Sequence, residues 1–383
     1  MFQFSSLPPL SLYVHLPWCV RKCPYCDFNS HALRDELPQA AYVAALLRDL
    51  EHELPRVWGR TVHSVFLGGG TPSLFDPEHI AELLSGIRAR LPLSPQAEIT
   101  LEANPGTVEL ARFRGFREAG VNRLSIGIQS FEDSKLAALG RIHGGTEALE
   151  AAQAARAAGF DNFNLDLMFG LPGQTHPEAL ADVETAIGVT PTHLSVYQLT
   201  IEPNTRFAAD PPPNLPEDDA IWEMQQTIQQ RLAAAGYRQY EVSAYAQAGR
   251  ECAHNLNYWR FGDYLGIGAG AHAKLTDPDG IARRWRTKHP TAYLAAAGTE
   301  EAIDGESRLT RADVAGEFMM NALRLTAGFD KSLFAERTGL PISHLARQLG
   351  VAHSRHLIEE DLLRVQPTAL GQRFLNDLVA LFL

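Results

Sequence analysis

The stretch "HLPWCVRKCPYCDF", residues 15–28, places Cys19, Cys23 and Cys26 within eight residues of one another, and the whole chain has four cysteines. A disulfide uses two thiols, so this spacing does not describe one. The C-x3-C-x2-C run follows directly on an apolar stretch, "SLYVHL" (11–16), that reads as a strand. The cysteines therefore sit on the loop after the first strand. Thiolates are soft ligands, suited to zinc or to iron–sulfur clusters. Structural zinc takes four protein ligands, which His15 or His31 could complete. A four-iron cluster held by three thiolates leaves one iron open to another molecule. Arg21 and Lys22 place positive charge beside this site, and Trp18, Tyr25 and Phe28 give it an apolar wall. The surroundings favour the cluster, with zinc as the second reading.

Around the cysteine loop, apolar runs alternate with amphipathic ones. Further strands are expected at 64–69, 98–103, 123–129, 162–170 and 193–199. Helical stretches lie between them, for example 40–54 and the Ala-rich, proline-free 146–160. "DPEHIAELL" from residue 76 offers an Asp cap followed by Pro and Glu. This alternation describes parallel β/α units joined by right-handed crossovers. Six strands form either an open doubly wound sheet or an incomplete barrel, with the chemistry at the C-terminal strand ends. A barrel domain over 1–245, a connecting segment over 246–304 and a smaller, mainly helical domain over 305–383 follow. "DPPPNLPEDD" (210–219) reads as a seam, 237–246 as strand-like and 295–307 as a linker. The last domain resembles a winged helix in outline. Its nine Lys/Arg and nine Asp/Glu over 306–383 do not make the basic face of a DNA reader.

Composition narrows the function classes. A chain of 383 residues is too long for one small core. Four cysteines argue against a secreted disulfide scaffold. The first residues carry no positive charge before their apolar stretch, and no apolar run is long enough to span a bilayer. A cytoplasmic protein is the expectation. A net charge of −11 disfavours nucleic acid as a partner. Peripheral membrane contact and a homodimer stay open.

C-x3-C-x-aromatic-C on the first βα loop, with "GGGTP" (68–72) after the second strand, resembles the radical S-adenosylmethionine (SAM) superfamily. The resemblance implies a partial (β/α)6 barrel and a [4Fe-4S] cluster on Cys19, Cys23 and Cys26, whose open iron takes the amine and carboxylate of SAM. Glu102, Gln129, Arg141 and Asp166 stand at successive strand ends, and Tyr13 opens a "YVHLPWC" run. In this order they are similar to oxygen-independent coproporphyrinogen III oxidase and its relatives. The match runs from about residue 11 to the C-terminus. It implies SAM contacts from Tyr13, Tyr25, Phe28, Gly69, Gly70, Thr71, Glu102, Gln129, Arg141 and Asp166.

Two departures separate this chain from the oxidases. They carry one more cysteine where this sequence has Phe28, and a longer segment before the first strand. Both point to the HemW branch, the haem chaperones. "HNLNYW" (254–259) agrees, since that branch associates H-N-x-x-Y-W with haem, and makes His254 a candidate iron ligand. Cys252 is a conceivable thiolate alternative, though it reads better as a small buried residue. The resemblance thus implies haem as a ligand and haem-accepting proteins such as respiratory cytochromes as partners. Coproporphyrinogen oxidation in porphyrin biosynthesis is the alternative. A radical SAM enzyme of RNA is disfavoured by the acidic charge.

Overall fold

The computed structural model describes residues 2–106 and 110–383. Six parallel strands lie side by side in chain order: β1 (Leu10–Leu16), β2 (Val62–Gly69), β3 (Leu93–Ala103), β4 (Arg123–Gln129), β5 (Phe163–Phe169) and β6 (His193–Gln198). Helices α1 (Gln39–Val57), α2 (Pro77–Arg90), α3 (Leu110–Ala119), α4 (Gly145–Ala157) and α5 (His176–Val189) lie between consecutive strands. This is the expected partial (β/α)6 barrel.

Strand alternation separates two environments. Leu12, Val14, Val65, Leu67, Leu101, Leu124, Ile126, Leu165, Leu167 and Leu194 are buried in one apolar core together with residues of the helices. The intervening residues turn the other way. They include Tyr13, Glu102, Arg123, Ser125, Asn164, Asp166, His193 and Ser195, and they line a cavity of about 570 Å³. In a fully closed eight-stranded barrel of this type, branched apolar side chains fill the inside. Here the strands turn polar side chains inward alongside Phe66 and Met168, and the residues of the main apolar core face the helices.

The sheet continues beyond the six strands on both sides. At one edge a hairpin of β7 (Arg238–Gln239) and β8 (Ala244–Ala246) pairs antiparallel with β6. It follows α6 (Asp218–Ala234). At the other edge β9 (Asp263–Ile267) runs parallel to β1, and β10 (His272–Asp277), β11 (Gly280–Arg286) and β12 (Ile303–Arg308) follow antiparallel. The linker expected over 295–307 is therefore corrected. Its second half is strand β12, an edge strand whose mostly exposed side chains leave no apolar alternation to read.

Asp76 also departs from expectation. It precedes α2 but makes no side-chain cap. Its carboxylate instead accepts from Gln39 Nε2 at 2.8 Å and from Arg112 at 2.9 Å, which ties α1, α2 and α3 together. The C-terminal part has a second core around Phe318, Phe329, Phe334 and Leu349, with a small sheet of Phe329–Asp330, Ile358–Glu360 and Arg364–Pro367. Among the described residues no helix is long and apolar enough to cross a membrane.

Candidate cluster and cofactor site

The cysteine loop leaves β1 and is held down at two places. Trp18–Cys19 pairs with His31–Ala32 as a short parallel ladder. The glycine turn after β2 fastens the other side: Gly70 N–H donates to Leu16 O at 2.9 Å and Thr71 N–H to Trp18 O at 2.7 Å. A Cβ on Gly70 would stand 2.5 Å from Trp18 O, so only glycine allows this approach. Gly69 has φ +112° and lies against the His15 ring, again where a Cβ would collide.

All three loop cysteines line the mouth of the lumen. Burial pushes the Cys19 and Cys26 thiols above their ordinary range, so a metal must displace their protons to bind. Arg141 Nη1 lies 3.7 Å from Cys23 Sγ. Among the described residues no three His, Cys, Asp or Glu side chains are arranged around a single metal ion. His15 is unsuited as a fourth zinc ligand, because Nε2–H donates to Asn29 O at 2.9 Å and Nδ1 accepts from Tyr13 OH at 3.0 Å. The loop offers three thiols, none of them in a disulfide.

The residues expected around SAM share this cavity. Tyr13, Tyr25, Phe28, Gly69, Gly70, Thr71, Glu102, Gln129, Arg141 and Asp166 all line it. Glu102 accepts from Gly69 N–H at 3.0 Å; burial and the nearby Asp166 push its carboxyl up to about 7. Gln129 adopts φ +71° beside a register shift in β4. This irregularity re-aims a strand-end residue, a device common beside functional sites. Arg141 donates to Asn104 Oδ1 and to Gly127 O, both at 2.7 Å, and its Nε has no hydrogen-bond partner. Asn104 in turn donates to Thr71 Oγ1 at 2.9 Å. Asn104 escaped the sequence reading, although it stands two residues past Glu102. Phe28 is 61% exposed at the lip.

Below this rim the lumen has a hydrogen-bonded floor that the sequence reading also missed. Asn164 Nδ2 donates to Ser125 Oγ and Asp166 Oδ1, both at 2.8 Å. Its Oδ1 accepts from His193 Nδ1–H at 2.7 Å and Ser195 Oγ–H at 3.1 Å. His193 Nε2 then accepts from Tyr240 OH at 2.9 Å. Burial holds His193 well below the usual imidazole range, so this array contains a neutral ring with a fixed tautomer.

His254 is part of the same floor. It lies on the seven-residue helix α7 (Ala253–Trp259) and is 1% exposed. Glu98, from the middle of β3, accepts from the Ala253 and His254 amides at 3.1 and 3.2 Å, and Cys252 donates its thiol to the same carboxylate at 3.5 Å. Cys252 is therefore at the floor, away from the cysteine loop. Ser64 donates to Ser11 at 2.8 Å, so His254 Nδ1–H donates to Ser64 Oγ at 2.9 Å. The lone pair of Nε2 is left to Tyr258 OH at a long 3.3 Å. Burial, then Arg123, lowers the imidazole to about 3 and keeps it neutral.

Comparison with known proteins assigns this arrangement to a family. The model of the radical SAM superfamily matches residues 13–186, and that of the HemN C-terminal domain matches 309–374. The chain is 52% identical over 383 residues to a protein of Haemophilus influenzae named heme chaperone HemW, with 99% of each covered. It is 53% identical over 379 residues to the Escherichia coli protein of that name, again with 99% of each covered. The Bacillus subtilis namesake is 36% identical, with 88% of each covered. Among solved structures, coproporphyrinogen III oxidase (HemN) from Escherichia coli, a radical SAM enzyme, superposes with a TM-score of 0.83 at 26% identity. That match covers 98% of this chain and 90% of the oxidase. With the barrel, the cysteine loop and the full-length identity in agreement, the chain belongs to the HemW heme-chaperone family of the radical SAM superfamily.

Proposed function

We propose that this protein is a haem chaperone that binds haem and passes it to haem-accepting proteins such as respiratory cytochromes, and that it retains a [4Fe-4S] cluster and a SAM site. The observation that carries the reading is the full-length identity of 52–53% to two proteins named heme chaperone HemW. The exposed aromatic Phe28, where the oxidase resemblance expects a further cysteine, supports it.

In this reading Cys19, Cys23 and Cys26 hold the cluster. Gly69, Gly70, Thr71, Glu102, Gln129, Arg141 and Asp166 hold SAM, with Tyr13, Tyr25 and Phe28 as neighbours. When bound, the two cofactors supply one-electron chemistry at the sulfonium. The chain's own part is to orient and enclose. Glu102 offers a carboxylate to an ammonium group, and Arg141 offers a guanidinium fork to a carboxylate.

His254 is the proposed iron ligand, through Nε2. Ser64 fixes the tautomer and orients the ring, as outer partners of metal-binding imidazoles do. Of the ring's two hydrogen bonds, the long one to Tyr258 is the one to be displaced. The test is an anaerobic haem titration of wild type and His254→Ala, followed in the Soret band. Wild type should bind, and the variant should bind more weakly with a shifted band. Identical spectra and affinities would remove His254 as the ligand. Absence of binding by wild type would remove the chaperone reading. The second reading, coproporphyrinogen III oxidation, draws on the structural likeness to the Escherichia coli oxidase and is distinguished by turnover.

A further inference from the structure

Arg123 sits at the foot of β4, at the opposite end of this seven-residue strand from Gln129. That places it about 20 Å along the strand from the mouth. Its side chain lines the lumen and is 2% exposed. A buried guanidinium is costly unless it is paired and hydrogen-bonded. Arg123 is neither to any useful extent. Its Nε has no hydrogen-bond partner, and its ion pair to Glu98 spans 3.9 Å. Among the described residues it donates no hydrogen bond. Glu98 is occupied with the first amides of α7 and the Cys252 thiol.

The rest of the floor makes no hydrogen bond to Arg123 either; Asp166 acts on it only as a nearby charge. Both protons and both lone pairs of Asn164 are committed, and Ser125 donates to Asp166 at 3.2 Å. His193 and His254 are neutral and bonded at both nitrogens. Arg141, the cation at the mouth, is held by Asn104 and Gly127. An uncommitted planar fork at the bottom of the lumen matches a planar, doubly accepting anion, which is a carboxylate.

We propose that Arg123 receives a carboxylate arm of the chaperone's cargo: with haem held at His254 on the lumen floor, one of its propionate side chains extends to Arg123. This rests on the chaperone reading and adds the group that recognises the tetrapyrrole's charge. It makes Arg123 a specificity residue for propionate-bearing macrocycles.

The test compares haem with haem dimethyl ester, whose propionates carry no charge, by Soret titration of the cluster-reconstituted protein. Wild type should prefer haem by about tenfold or more, the size expected of a charge-assisted hydrogen bond. Arg123→Gln should lose the preference, and Arg123→Lys, which keeps the charge without the fork, should retain part of it. Circular dichroism and SAM binding check that the variants fold. Equal affinity of wild type for haem and its ester would overturn the proposal without any variant. A preference unchanged in a folded Arg123→Gln or Arg123→Lys protein would overturn it as well. Failure of wild type to bind either macrocycle would instead overturn the chaperone reading beneath it.

Discussion

Replacing Gly70 by alanine tests whether the glycine turn holds the cysteine loop in place. The new Cβ would lie 2.5 Å from Trp18 O and 2.8 Å from the Pro17 and Trp18 carbonyl carbons. These are backbone atoms, and no rotamer relieves the contact. Relief requires the loop to lift from the turn, which breaks Gly70 N–H to Leu16 O and Thr71 N–H to Trp18 O. Two backbone hydrogen bonds at about 1 kcal/mol each set the cost near 2 kcal/mol. That is about a thirtyfold shift toward the open loop. The control is Gly188→Ala in α5, where nothing lies within 4 Å of the added Cβ and φ is not positive. That change should stabilise by about 0.5–1 kcal/mol. The assays are urea unfolding of the apo protein and iron and sulfide content after reconstitution. Gly70→Ala should lose stability and cluster occupancy together. A Gly70→Ala protein that matches wild type in both would refute the reasoning, because the loop would then not depend on this contact.

Other expectations follow from the same geometry. Cys19→Ser, Cys23→Ser and Cys26→Ser should each abolish the broad visible absorption of the reconstituted cluster, whereas Cys252→Ser, at the lumen floor, should leave it intact; purification with zinc would contradict the assignment. Arg141→Ala should weaken SAM binding by about 1.5–3 kcal/mol in calorimetry, the size of a lost charged hydrogen bond. Glu102 titrates at about 7, and an ammonium group requires its charged form. SAM affinity should therefore fall by up to about tenfold per pH unit below 7, while Glu102→Gln binds weakly with a flat profile. Without SAM the sign reverses. The folded pKa lies above the unfolded one, so this group's charge costs stability at pH 8, and Glu102→Gln should melt higher there.

Much of this was legible from the sequence because it is local. Each barrel strand carries a period-two pattern, and Gly69, Glu102 and Gln129 stand where strands end; Asp166 instead lies in the middle of its strand and Arg141 on a loop between two helices, so the expected row of strand ends is corrected for those two. The lumen floor was legible in principle. Arg123, Ser125, Asn164, His193 and Ser195 are the polar alternates of strands whose other residues are apolar. Read as pairs of faces, those strands announce a polar interior. Long-range pairing was not legible. Nothing local to "DYLGI" states that Asp263–Ile267 will lie beside Leu10–Val14. β12 reads as a linker because an exposed edge strand has no apolar face to display. Helix α7 is too short for helical periodicity, and its anchor is Glu98, more than 150 residues earlier in the chain. The burial of His254 was invisible for that reason.

The central claim is that this barrel serves haem delivery and does not oxidise coproporphyrinogen. The direct measurement is an anaerobic incubation of the reconstituted wild-type protein with coproporphyrinogen III, SAM and a reductant, analysed for products. The account predicts that no protoporphyrinogen IX forms while the same preparation binds haem. Stoichiometric or catalytic formation of protoporphyrinogen IX would contradict it and make the protein an oxidase.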